Sequence, residues 1–124
     1  MLIYLSVAIG GAFGAMSRFW VSQWFAKTFP SEIAYGTLLV NVVGSFLIGI
    51  VFVLITERIE VQAYYKPMLM TGFLGAFTTF STFSLESLTH IMAGQYIHAL
   101  AYITLSLLLC ISATFLGITI TRFF

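Results

Sequence analysis

Charged side chains are scarce in this chain of 124 residues: five Lys or Arg and four Asp or Glu, 7% of the total. An ordinary soluble domain carries roughly 25%, and so few charges cannot cover the surface of one. The net charge of +1 leaves no electrostatic footprint for nucleic acid. The single cysteine, Cys110, excludes an internal disulfide framework and a multi-thiolate metal site. Disorder is excluded by what the chain does have, 60% hydrophobic and 17% aromatic residues. The length allows one domain, covering 1–124. The composition leaves one class, an all-α integral membrane protein.

A helix needs about 20 apolar residues to cross the hydrocarbon. Four stretches meet that requirement: Leu2 to Phe25, Ile33 to Ile55, Met68 to Met92 and Ile97 to Thr121. Arg18 interrupts the first, and Glu86 and His90 fall in the second half of the third. The connections are too short to hold a domain, and Pro30 and Pro67 sit in them, where a missing backbone donor is harmless. Barrel strands alternate apolar and polar residues, which runs such as Leu105 to Leu109 do not. The N-terminal stretch has no basic leader, and its apolar run of about 24 residues exceeds the roughly 7–15 of a signal core, so no cleaved signal is expected.

Cytoplasmic loops usually hold the excess of Lys and Arg. With four crossings, Arg58, Lys66 and Arg122 lie on one side and Lys27 on the other, joined by Arg18 if it reaches that surface. So even a distribution allows two readings. One is a weak bias that is obeyed. The other is a chain that inserts both ways and pairs with its inverted copy, as inverted repeats pair within many transporters.

Polar groups in lipid are costly and face a partner or a wet path. Thr37, Asn41 and Ser45 follow at four-residue steps, which places them on one helix face. Tyr102, Ser106, Cys110 and Thr114 do the same in the fourth stretch. Ser6, Gly10, Gly14 and Arg18 do so in the first, with Gly10 and Gly14 forming a GxxxG pair suited to helix packing. The Tyr102 ladder is harder to explain by packing, because one interhelical hydrogen bond is worth only about 0.6 kcal/mol. Asn41 needs acceptors or water for its amide.

The run Gly72 to Ser84 in the third stretch combines glycine with a Thr/Ser cluster. These residues form helix weakly and offer the backbone competing hydrogen bonds. Either the helix breaks near Gly75 to Thr79, freeing carbonyls whose negative ends can hold a cation, or it continues with a polar seam. Phe80 and Phe83 share a face, either as lipid-facing bulk or as rings whose positive edges help solvate a small anion. Arg18 lies roughly 10 Å inside its helix end. It either snorkels outward or serves as a vestibule charge. Glu86 is either a structural acid or part of an ion path. His90 and His98 fall near chain turns and are expected at the interface, where Trp20 and Trp24 also fit an aromatic belt.

No paired acids, activated nucleophile, metal cluster or phosphate loop marks an enzyme. Donors outnumber intramembrane acids, which favours an anion path over cation antiport. A small multidrug-type proton-coupled cation antiporter has a similar architecture but relies on an acid in its first helix, where this chain has Arg18. A non-transporting assembly subunit is the third possibility. Anion efflux, proton-coupled cation uptake, or neither, in liposomes separates the three.

Three motifs resemble one family. Gly11-Ala12-Phe13-Gly14-Ala15-Met16-Ser17-Arg18, Gly36-Thr37-Leu38-Leu39-Val40-Asn41-Val42-Val43-Gly44-Ser45-Phe46 and Gly72-Phe73-Leu74-Gly75-Ala76-Phe77-Thr78-Thr79-Phe80-Ser81-Thr82-Phe83 are similar to the first three helices of the Fluc (CrcB-type) fluoride channels. The resemblance implies four-helix subunits with a broken third helix, paired as an antiparallel dual-topology homodimer in the bacterial inner (cytoplasmic) membrane. It implies two pores per dimer that passively export fluoride and relieve its toxicity. It places Asn41, Phe80 and Phe83 on the fluoride, with Ser81 and Thr82 beside the rings, and makes Tyr102, Ser106, Cys110 and Thr114 the polar track. Cys110 departs from the hydroxyl expected there. Gly75 and Thr78 are implied as backbone-carbonyl ligands of one structural sodium ion (Na+) at the dimer interface.

Overall fold

The computed structural model describes residues 1–124. The chain is all helical, with four helices long and apolar enough to cross a membrane: Leu2–Thr28, Tyr35–Arg58, Pro67–Met92 and Tyr96–Phe123. We refer to them as the first to fourth spans. The first runs past Phe25 to Thr28, and Pro30, two residues on, follows the point where the chain leaves the helix. Its end is an aromatic group in which Trp24 meets Phe25 and Phe29 edge-on, with ring centroids 5.0 and 6.0 Å apart. The second span is α-helical over Tyr35–Val53 and widens into a π turn over Leu54–Arg58. The third opens with Pro67, whose missing N–H costs nothing at a helix start.

Glycine sets the distances between spans. A Cβ at Gly14 would collide with the Phe73 carbonyl, and one at Gly10 with that of Met68, so the GxxxG pair brings the first span onto the backbone of the third. The second and fourth spans cross in the same manner. A Cβ at Gly49 would lie 2.5 Å from the Thr114 carbonyl oxygen, and one at Gly117 would strike that of Phe46. At one membrane end Arg122 donates to the Glu57 carboxylate through Nε at 3.0 Å and through Nη2, while Arg58 Nη2 donates to the Arg122 carbonyl at 2.8 Å. This cluster ties the end of the second span to the end of the fourth.

The third span is α-helical over Gly75–Phe77 and again over Phe80–Met92. Between them Thr78 (φ −83°, ψ 160°) and Thr79 (φ −152°, ψ 112°) have extended backbone. Thr79 caps the helix that follows: its Oγ1 accepts the Thr82 N–H at 3.2 Å and donates to Thr82 Oγ1 at 2.9 Å.

Candidate functional site

The two extended residues are held from the second span. Asn41 Oδ1 accepts the Thr79 N–H at 2.7 Å, and Asn41 Nδ2 donates to the Thr79 carbonyl at 3.0 Å. In an unbroken helix the Thr79 N–H would serve the Gly75 carbonyl, and the Thr82 N–H that of Thr78. Here one goes to Asn41 and the other to the Thr79 hydroxyl. The Gly75 and Thr78 carbonyls thus lose their regular helical donors. Thr78 Oγ1 itself donates to the Leu74 carbonyl at 3.0 Å.

A cavity of about 290 Å³ lies at this level, between the middles of the second, third and fourth spans. Asn41, Gly44 and Ser45 line it from the second, Gly75, Thr78, Thr79, Phe80 and Phe83 from the third, and Ser106 and Cys110 from the fourth. No Lys or Arg is among its lining residues. Ser106 Oγ is buried and has no hydrogen-bond partner. Phe83 is 7% exposed and Phe80 73% exposed, so one ring is packed inside and the other stands at an open side. Their centroids are 5.4 Å apart, and Phe83 lies a further 5.4 Å from the Tyr102 ring.

Beyond Phe83 the polar groups are occupied. Glu86 accepts from Thr37 Oγ1 at 2.8 Å and from the Tyr102 hydroxyl at 2.6 Å. Three spans therefore meet on one carboxylate. On its other side lies a second cavity of about 440 Å³, lined by Glu86, Thr37, Glu32 and the turn that joins the first two spans.

The sequence-derived residues thus divide. Asn41, Phe80, Phe83, Ser106, Cys110, Gly75 and Thr78 share the central cavity. Ser81 and Thr82 group around the Thr79 hydroxyl outside its lining, with Ser81 Oγ 3.4 Å from it. Tyr102 is committed to Glu86, and the Thr114 hydroxyl to its own helix at the Cys110 carbonyl, 3.1 Å away. Arg18 is half-buried and does not reach the cavity lining. His90 lies in the last turn of the third span, beside a chain turn, and is 8% exposed. Its Nδ1 lies 2.8 Å from Gln95 Oε1, and its ring stacks on His98 at 6.2 Å. The tight turn through Gly94 folds Gln95 back over it. Thr79 is the central residue that sequence reading passed over. Its signal was a threonine three residues before Thr82 at a predicted break, a spacing that suits an N-cap.

These features define a class first: a small multi-pass membrane protein whose mid-depth polar groups converge on a cavity among its spans. The particular family follows from comparison. Residues 5–118 match the family described as CrcB-like protein, Camphor Resistance (CrcB), and the chain belongs to it. It is 45% identical over 121 residues to the fluoride-specific ion channel FluC of Hahella chejuensis, covering 98% of this chain and 94% of that one. It is 48% identical over 120 residues to the FluC of Nitratiruptor sp., covering 97% and 92%. With the FluC of Campylobacter lari it shares 45% identity over 118 residues, covering 95% and 96%.

Proposed function

We propose that this chain is a fluoride-selective channel of the bacterial inner membrane that lets fluoride leave the cell passively, and that the central cavity lies on the ion's path. The observation that carries this reading is the buried Ser106 hydroxyl, which lines the cavity and has no partner in the chain. A buried donor without an acceptor is costly, and a small anion relieves that cost. Asn41 adds a second donor, because only one Nδ2 hydrogen is spent on Thr79. Phe80 and Phe83 add ring edges, which carry the positive part of the aromatic quadrupole. Without a lining Lys or Arg, no single site holds the ion so strongly that it cannot move on. Close quarters and the cost of stripping water then favour the smallest halide.

The path is completed by a second copy of the chain, inserted the opposite way up. Phe80 lines the cavity yet is largely exposed, so one wall is open, and an inverted partner closes it. The near-even spread of positive charge over the two sides permits both orientations. Two such paths, one per copy, flank the dimer axis. The interruption at Thr78 and Thr79 also fits one sodium ion. The Gly75 and Thr78 carbonyls, without their helical donors, would hold it together with their counterparts from the second copy. Bound there, the ion supplies positive charge that fixes the two broken spans against each other.

The test is reconstitution. Liposomes loaded with potassium fluoride, given a potassium ionophore to balance charge, are expected to empty into an electrode chamber with no proton gradient, while chloride-loaded ones stay full. Vesicles that hold their fluoride overturn the function. Crosslinks that join only copies of one orientation overturn the inverted pairing.

A further inference from the structure

The polar ladder of the fourth span has one weak rung. Cys110 follows Ser106 by one turn and lines the central cavity with it. A thiol donates hydrogen bonds weakly where a hydroxyl donates well. The next rung is already taken, because Thr114 gives its hydroxyl to the Cys110 carbonyl at 3.1 Å. From the second span, half-buried Ser45 lines the same cavity and makes no side-chain hydrogen bond. Two contacts set the level at which it stands. Thr37 and Tyr102 meet on Glu86, and twelve residues further along each span a Cβ at Gly49 would lie 2.5 Å from the Thr114 carbonyl oxygen. The two spans therefore run the same way in constant register, which puts Asn41 level with Ser106 and Ser45 level with Cys110.

We propose that Ser45 supplies the donor that Cys110 lacks, so that the cavity holds the anion at two stations, one at Asn41 and Ser106 and the next at Ser45. The second station rests on the reading that this cavity is the fluoride path. Side chains four apart on a helix have Cβ atoms about 5–6 Å apart, so Asn41 and Ser45 stand one short step from each other. An ion that moves through weak sites needs its next donor within such reach. At Ser45 the ion leaves the donors of the fourth span for that of the second, and the Cys110 sulfur is only wall.

Ser45→Ala, Cys110→Ser and the double variant, each in the full-length protein, provide the test. In liposomes loaded with potassium fluoride, Ser45→Ala is expected to slow efflux roughly tenfold, the loss of one hydrogen bond to an ion. Adding Cys110→Ser puts a hydroxyl back at the same level and is expected to return most of that rate. In the parent, the same change adds a hydroxyl to a station that already has one and is expected to gain less. The second readout is the unfolding temperature in detergent at fixed sodium, with rising potassium fluoride against potassium chloride. The fluoride needed for a given rise is expected to be roughly tenfold higher in Ser45→Ala and to recover in the double variant. Unchanged efflux or unchanged fluoride dependence in Ser45→Ala overturns the station and leaves the channel reading standing. So does a double variant that is not rescued, or an equal gain in the parent. An unfolding temperature already lowered in Ser45→Ala without fluoride makes the hydroxyl structural and overturns the station as well. Should the parent pass no fluoride, the channel reading fails, and the fluoride dependence of unfolding still decides whether Ser45 holds the ion.

Discussion

Asn41 grips the Thr79 peptide from both sides, accepting its N–H at 2.7 Å and donating to its carbonyl at 3.0 Å. One side chain of the second span thereby takes over the backbone bonds that the third span gives up. Asn41→Ala is expected to strand both groups and lower stability by about 1–3 kcal/mol for each. Asn41→Asp keeps the acceptor and loses the donor, setting a carboxylate against the Thr79 carbonyl and in the path of an anion. It is expected to suppress fluoride efflux while losing less stability than the alanine variant. Thermal unfolding in detergent and electrode-monitored efflux check the pair, and robust conduction by Asn41→Asp with its acid ionised would count against an ion contact at Asn41.

Phe80 and Phe83 separate the role of a ring from that of packing. Replacing either by Ile removes the aromatic edge, and both variants are expected to conduct far less fluoride with the dimer still formed. Only Phe83→Ile is expected to cost stability, roughly 1 kcal/mol, because only that ring is enclosed by protein. Size-exclusion chromatography and efflux on the same preparations measure this, and full conduction by both variants removes the ring-edge role.

Glu86 holds two donors from two spans, so losses there are not independent. Tyr102→Phe and Thr37→Val each remove one, at about 1–3 kcal/mol. The double variant is expected to depart from the sum of the singles by about 0.5–3 kcal/mol, as for residues sharing one network. A double-mutant cycle on unfolding free energies supplies the number, and strict additivity shows that the carboxylate is not shared.

Glycine-to-alanine substitutions are expected to sort by what the new methyl meets. Gly14→Ala and Gly49→Ala drive it into backbone carbonyls of a neighbouring span and are expected to prevent a monodisperse dimer. Gly75→Ala meets only the Met70 carbonyl at an ordinary 3.5 Å and is expected to fold. Elution profiles after matched expression give the answer.

Sodium is expected to stabilise the dimer by mass action, with the unfolding temperature rising as the logarithm of its concentration above the dissociation constant. Exchange into N-methylglucamine salts at constant ionic strength is expected to lower it. An unfolding temperature indifferent to that exchange removes the cation from the Gly75 and Thr78 carbonyls.

Much of the architecture was legible because bilayer thickness imposes length, and charge-free length shows directly in the residues. The Gly10 and Gly14 spacing likewise announced a close helix contact, because a four-residue step fixes a face. The site was legible only as a set of faces. That Asn41 spends its amide on Thr79, 38 residues away, depends on the depth at which two spans meet, and periodicity within one span carries no such depth. The four-step ladder of the fourth span looked uniform for the same reason. In the structure Tyr102 faces an acid, Ser106 and Cys110 face a cavity, and Thr114 turns to its own backbone. That Gln95 covers His90 was not legible, because the two are brought together by a turn that reverses at Gly94, φ +75°.

The Gly49 and Gly117 crossing limits which walls of the cavity can move. Two walls locked main chain to main chain leave little slack for their separation to fluctuate. The third wall is locked likewise to the first span as far as Phe73, which leaves the extended segment at Thr78 and Thr79, fastened from the second span by the Asn41 amide. On the proposed path, the sorting of one halide from the next is expected to follow how firmly Asn41 holds that segment.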